Sequence, residues 1–306
     1  MNLRKAALLA SVSTGLLIPT AQAGLVFSDN LSSSSGWTVL GDADTDAEFG
    51  YNYSADGIPA APNGSDTVGL KLQANIATGT VATVAAVRPL GVSGTPYRVS
   101  FDVWSNYALA GAGTTEFAGG GVGHDGVTAG LSGASLLIAG DGGSTRDYRL
   151  YKNDGEQFIE SLQYNSAFAS TNGSDPAIAA AIVGTAPPVG QAQVGSPSDG
   201  AIAFQWITMF IDVDPTAGLS TYTLLAGANT LEIGTINANI GDPVGLEGNV
   251  ALIYSDLFAS LADTPSLQFG VFDNVTVETM DAVPEPSVAM LLGVCGFGFL
   301  IRRRRA

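Results

Sequence analysis

Carboxylates are the commonest ionisable side chains in this sequence, with one histidine and one cysteine beside them. The stretch Gly24 to Val283 holds 27 acidic and 6 basic residues, a net charge of −21. Asp42-Ala43-Asp44-Thr45-Asp46 spaces three carboxylates as a calcium loop does. An EF-hand needs Gly at the sixth position and Glu at the twelfth. Ala47 and Tyr53 stand there, so that loop type is excluded. Asp212 with Asp214, and Asp273 with Asn274, form further oxygen pairs. Calcium is the one metal this supply of hard ligands suits, and a solvated loop is the competing reading for each cluster. No other cofactor is expected.

His124 is the sole histidine, in Gly121-Val122-Gly123-His124-Asp125-Gly126. A triad needs a histidine held between a nucleophile and an acid. No G-x-S-x-G accompanies this one, and it reads as an exposed loop residue. One histidine and no cysteine before Cys295 make a side-chain zinc site implausible. Glycoside hydrolysis needs two carboxylates at a fixed separation. Glu156 and Glu160 are the nearest spaced glutamates, and a solvated edge explains them as well. No phosphate-cradling G-x-x-x-x-G-K occurs; Gly119 to Gly123 reads as a flexible loop. No catalytic residue is assigned. Sugar binding draws on aromatic faces with polar neighbours, and the pool is Trp37, Trp104, Trp206, Tyr51, Tyr53, Tyr107 and Tyr148. Trp104 shares the polar face of Tyr97 to Trp104 with Asp102 and Arg98. Trp104 and Asp102 are therefore the expected glycan contacts, with inter-strand packing as the alternative. Trp206, in an apolar run, is expected in the core.

The elements that must position these residues are strands. Tyr97, Val99, Phe101 and Val103 alternate with Arg98, Ser100, Asp102 and Trp104, the period of a half-buried strand. Val26–Asn30, Gly36–Val39, Val68–Ala74, Thr80–Val87, Ala134–Ala139, Asp147–Tyr151, Ala203–Val213, Ser220–Leu225, Leu231–Ile236, Val250–Tyr254 and Leu267–Glu278 read likewise. Asp42–Asp56 reads as an acidic loop, Gly57–Gly64 as a Pro/Gly loop and Asn106–Gly133 as a long loop. Helix is expected only as a turn at Ile178–Val183 and two turns at Asp256–Ala262. Strands separated by Gly, Pro, Asn and Asp, with one face polar, indicate an all-β antiparallel β-sandwich. About 260 residues bury a full core without disulfides. The negative charge repels nucleic acid, which is not expected as a partner.

Both ends differ from this body. Arg4 and Lys5 precede the apolar stretch Ala6–Ile18, then Pro19 and Ala21-Gln22-Ala23. This reads as a signal peptide with a small-x-small site, expected to be cut after Ala23 by signal peptidase, with an N-terminal anchor as the competing reading. At the other end stand Pro284, Glu285 and Pro286, an uncharged run Val288–Ile301, and Arg302, Arg303, Arg304 and Arg305. The prolines break regular structure. As a helix the run reaches about 21 Å, against about 30 Å of hydrocarbon, and snorkelling arginines extend it. The arginines stay cytoplasmic by the positive-inside rule. The expected domains are 1–23, 24–280 and 281–306, with an N-terminal signal helix and a C-terminal transmembrane helix.

Pro284-Glu285-Pro286, the apolar run and the terminal arginines, in that order, resemble the PEP-CTERM sorting signal. The resemblance implies export, transient anchoring in the inner membrane and cleavage near the tripeptide by exosortase. It also implies a cell-surface or extracellular-matrix destination in organisms that make exopolysaccharide. An uncut C-terminal anchor is the competing reading. Phe269-Gly270-Val271-Phe272-Asp273-Asn274-Val275-Thr276-Val277 resembles the last strand of jelly-roll domains of the concanavalin-like or carbohydrate-binding kind. Tyr148, and Phe49-Gly50-Tyr51 with Gly57-Ile58-Pro59, look like body modules common among sorting-signal proteins. Two functions follow as expectations. One is a non-catalytic surface protein contacting polysaccharide. The other is a polysaccharide hydrolase or lyase on a concanavalin-like fold.

Overall fold

The structure is a computed structural model that describes residues 24–280. The chain runs through β1 (Gly24–Asp29), β2 (Thr38–Gly41), β3 (Thr45–Asn52), β4 (Val68–Ala74), β5 (Ala82–Pro89), β6 (Tyr97–Asn106), β7 (Phe117–His124) and β8 (Ala134–Ala139). It continues through β9 (Tyr148–Lys152), β10 (Gly155–Glu156), α1 (Pro176–Ala181), β11 (Trp206–Asp214), β12 (Leu219–Ala226), β13 (Asn229–Asn237), β14 (Asn249–Asp256) and β15 (Phe269–Thr279). An eight-stranded sheet has the order β13-β12-β11-β6-β15-β4-β3, with β1 also on β15. A seven-stranded sheet has the order β10-β9-β8-β7-β14-β5-β2. Every named pairing is antiparallel.

The main core lies between the sheets. Tyr97, Val99, Phe101 and Val103 of β6 and Ile207, Met209, Ile211 and Val213 of β11 meet Leu136, Ile138, Leu150 and Leu252 from the other sheet. Burying each such side chain contributes about 1.5–3 kcal/mol. A second cluster covers the opposite face of the eight-stranded sheet. There Tyr53, Ile58, Trp104, Tyr107, Phe204 and Phe269 are buried beneath loops. The face expected to be polar and open is therefore largely covered.

The expected loop Asn106–Gly133 contains a strand. β7 runs between β14 and β8, in the middle of its sheet. Its glycines answer a steric demand. A Cβ on Gly119 would stand 2.0 Å from the Leu136 carbonyl oxygen, and one on Gly121 2.3 Å from that of Ala134. Backbone oxygens cannot swing aside. Gly119→Ala and Gly121→Ala are each expected to destabilise by about 1–3 kcal/mol, read as a lowered midpoint in urea. The expected acidic loop also holds a strand, β3, in which Thr45, Ala47 and Phe49 alternate with exposed Asp46 and Glu48. The helix expected at Asp256–Ala262 does not form. The Asp256 carboxylate accepts from the Phe258 N–H at 2.7 Å, which turns the chain out of β14. The turn expected at Ile178–Val183 appears as α1, with Asp175 capping the Ala177 N–H.

Among the described residues no helix is long and apolar enough to cross a membrane. The expected signal helix, the cleavage residues Ala21 and Ala23, the motif Pro284 to Pro286, the membrane helix and the four arginines lie outside the described residues.

Candidate functional site

Three neighbouring strands place Thr208, Asp102 and Asp273 side by side on the covered face. Thr208 of β11 pairs with Asp102 of β6, and Asp102 with Asp273 of β15. Asp102 is fully buried. Its carboxylate accepts from the Asn63 N–H (3.2 Å), the Asn63 amide (2.8 Å), the Thr208 hydroxyl (2.6 Å) and the Asn274 amide (2.9 Å). Asp273 accepts from the Tyr53 hydroxyl at 2.9 Å and the Asn274 N–H at 2.7 Å. Burial pushes Asp273 up to about 7, helped by the charges of Asp66 and Asp102 and opposed by those two hydrogen bonds. Burial, then Asp273, also raises the Tyr53 phenol. A buried carboxylate is tolerated only when its lone pairs are met; here Asn63 of the loop 57–66 meets those of Asp102 together with Thr208 and Asn274, and Tyr53 and Asn274 meet those of Asp273. The cluster is a clamp holding that loop to the sheet.

The clamp supports an aromatic pocket. Trp206 packs edge-on against Tyr53 (5.3 Å between centroids) and Trp104 (5.7 Å), and its indole N–H donates to the Pro59 carbonyl at 2.8 Å. A cavity of about 260 Å³ beside it is lined by Ala60, Pro62, Asn63, Trp206, Thr208 and Leu225. The Asn63 amide nitrogen is used on Asp102 and on the Thr208 oxygen at 3.0 Å. None of the described residues donates to its carbonyl oxygen.

The expected contacts Trp104 and Asp102 lie one layer too deep. Trp104 is 3% exposed and Asp102 0%, because the loop 57–66 and Phe204 cover them. Trp206, expected in the core, is the half-buried ring at the pocket. Tyr53 belongs to the expected aromatic pool, whereas Asn63 and Thr208 carried no signal by spacing, since Asp102 is distant from both along the chain. His124 is also corrected, being 1% exposed. Its Nδ1 accepts from the Gly126 N–H at 3.0 Å, and Nε2 lies 3.2 Å from the Gly130 carbonyl to which it donates. The ring thus fastens the turn after β7.

The oxygen clusters disperse. Asp42 accepts from the Thr83 N–H at 2.8 Å. Asp44 accepts from the Thr78 hydroxyl and from the N–H groups of Ala77 and Thr78, which hold it below the usual carboxylate range. Asp46 is exposed on β3. Asp212 pairs with Arg98, and Asp214 accepts from the Ala217 N–H. Among the described residues no three His, Cys, Asp or Glu side chains converge to hold a metal. Glu156 is engaged by two arginines, and Glu160 is exposed.

Solved structures with a similar outline include a peanut lectin with a nine-residue peptide, at 8% identity and TM-score 0.43, covering 86% of this chain and all of that one. A Lotus tetragonolobus seed lectin gives 8% and 0.42, covering 84% and all of it. A Bacillus subtilis protein of unknown function with a galectin-like fold gives 13% and 0.38, covering 84% and 96%. No curated protein matches the chain. Residues 282–305 match the family described as the PEP-CTERM protein-sorting motif. The chain therefore carries a PEP-CTERM sorting signal at its C-terminus, the mark of an exported protein processed by exosortase.

Proposed function

We propose that the protein is a non-catalytic surface or matrix component whose jelly-roll body contacts neutral stretches of extracellular polysaccharide through the Trp206 pocket. Delivery rests on the sorting motif. The contact rests on one observation: a half-buried indole stands beside an amide oxygen without a described partner, in a cavity of about 260 Å³. An aromatic face with an adjacent amide is what a sugar ring needs, apolar C–H groups on one side and hydroxyls at the edge. The carboxylates nearby support binding over turnover. Asp102 and Asp273 face protein donors, leaving neither positioned as acid or base toward the cavity.

A glycan array and a reducing-sugar assay on the purified protein test this reading. Binding without sugar release is expected. Trp206→Ala should lower the affinity about tenfold or more, while the melting temperature shows that the clamp persists. Release of reducing ends by the wild type, lost in a carboxylate variant, would establish the hydrolase or lyase instead.

A further inference from the structure

The body has six cationic side chains, and three of them, Arg146, Arg149 and Lys152, lie within seven residues. Arg88 pairs with Asp29, Arg98 with Asp212, and Lys71 lies over the rings of Tyr51 and Phe269. Lys152 donates to the Ile240 carbonyl. Arg146 and Arg149 differ, because one carboxylate serves both. Glu156 takes a fork from Arg146 (2.6 and 3.1 Å) and a longer bond from Arg149 (3.3 Å). Arg149 is only 7% exposed. It also donates to the Ser144 hydroxyl at 2.9 Å and the Arg146 carbonyl at 2.9 Å. Its guanidinium lies 4.6 Å from the Phe117 ring and 5.7 Å from the Phe258 ring.

Beside the pair opens a cavity of about 580 Å³. Both arginines line it, together with Thr115, Ser144, Ser260 and Phe258, and no carboxylate does. Asp141 and Asp147 lie close by but are committed elsewhere. Asp141 accepts from the hydroxyls of Thr114 and Thr115 and from the Gly143 N–H; Asp147 accepts from the N–H groups of Ser144 and Gly173. Each guanidinium has five N–H donors in a planar fork matched to a carboxylate. Half of the ten find no described acceptor. Phe258, 39% exposed, adds a ring face.

We propose that this cavity binds the uronate unit of an acidic polysaccharide. The sugar carboxylate would take the open edge of Arg146, its hydroxyls the Thr115, Ser144 and Ser260 oxygens, and its ring face Phe258. A guanidinium fork takes a carboxylate through two parallel N–H···O bonds. The site is separate from the Trp206 pocket, with which it shares no lining residue.

Calorimetric titration of the purified protein with trigalacturonate, with maltotriose as neutral control and a sulfated trisaccharide as the third arm, tests this. Trigalacturonate is expected to bind at least about tenfold tighter than either at low salt, and to weaken at roughly 0.5 M NaCl. Arg146→Gln, at a side chain 42% exposed, should cost about tenfold. Phe258→Ala should cost severalfold, and it carries the test if the arginine variant fails to fold. Trp206→Ala should leave trigalacturonate affinity unchanged, which separates this site from the neutral-sugar pocket. Equal affinity for acidic and neutral trisaccharides, tighter binding of the sulfated one, no binding at about 10 mM, or full affinity in both variants would overturn the proposal.

Discussion

Glu116→Gln should raise the melting temperature of the body above neutral pH and leave it nearly unchanged near pH 4. Glu116 is 2% exposed, and neither carboxylate oxygen has a partner at normal hydrogen-bond geometry among the described residues. Burial pushes it from an ordinary 4.5 to about 8; the charges of Asp256 and Asp141 add to this, and the nearby Tyr254 hydroxyl and Gln268 amide oppose it. The folded state therefore holds this proton to higher pH than the unfolded state does. Its stabilisation is complete below about 4.5 and is lost as pH rises through about 8. Each unit of difference corresponds to about 1.4 kcal/mol, so the loss is on the order of 3 kcal/mol after relaxation. For a domain of this size that is roughly 5–10 °C. Glutamine keeps the shape and cannot ionise. Asp273, at about 7, and Asp147, at about 6, are raised by burial and act with the same sign. The wild type should thus be more stable at pH 5 than at pH 8.5, and the variant should show a shallower slope. Parallel curves for the two proteins would mean that Glu116 is solvated.

The second large effect concerns the tail. Glu285 is the single acidic residue at or beyond the proline break, between Pro284 and Pro286. A processing enzyme that recognises the tripeptide has two ring-fixed residues and one carboxylate to read. Glu285→Ala removes the charge and leaves the break, the apolar run and the arginines in place. Full-length material should accumulate in the membrane fraction, with released protein falling about tenfold or more. Fractionation with an antibody against the body reads this directly. Unchanged release would show that the tripeptide is not what is recognised.

Much of this fold was readable from alternation, and what was missed has identifiable causes. β6 was legible because Tyr97, Val99, Phe101 and Val103 face a deep core while Arg98 and Ser100 do not. β7 was not, because Gly119, Gly120 and Gly121 carry no side chains to alternate. Their requirement comes from carbonyls on β8 and β14. His124 inherited that error, since glycines on both sides imitate a loop. Trp104 and Trp206 exchanged roles for a different reason. Polar neighbours marked the outer face of β6 as open. The loop that closes it is fastened by Asn63 to Asp102, 39 residues away, and no local pattern reports that contact. The Arg146–Arg149 pair was visible as sequence but not as a site, because Thr115, Ser144 and Ser260 come from three separate loops. The sorting signal was legible because it acts as a linear string and needs no fold to be read.

With both ends acting as addresses, the acidic middle is the predicted mature protein. Intact-mass spectrometry of the native protein recovered from outside the cell tests it most directly. The predicted product begins at Gly24 and ends near Pro284 to Pro286, lacking the apolar run and all four arginines. A cytosolic product that keeps Met1 and Arg302 to Arg305 would contradict it.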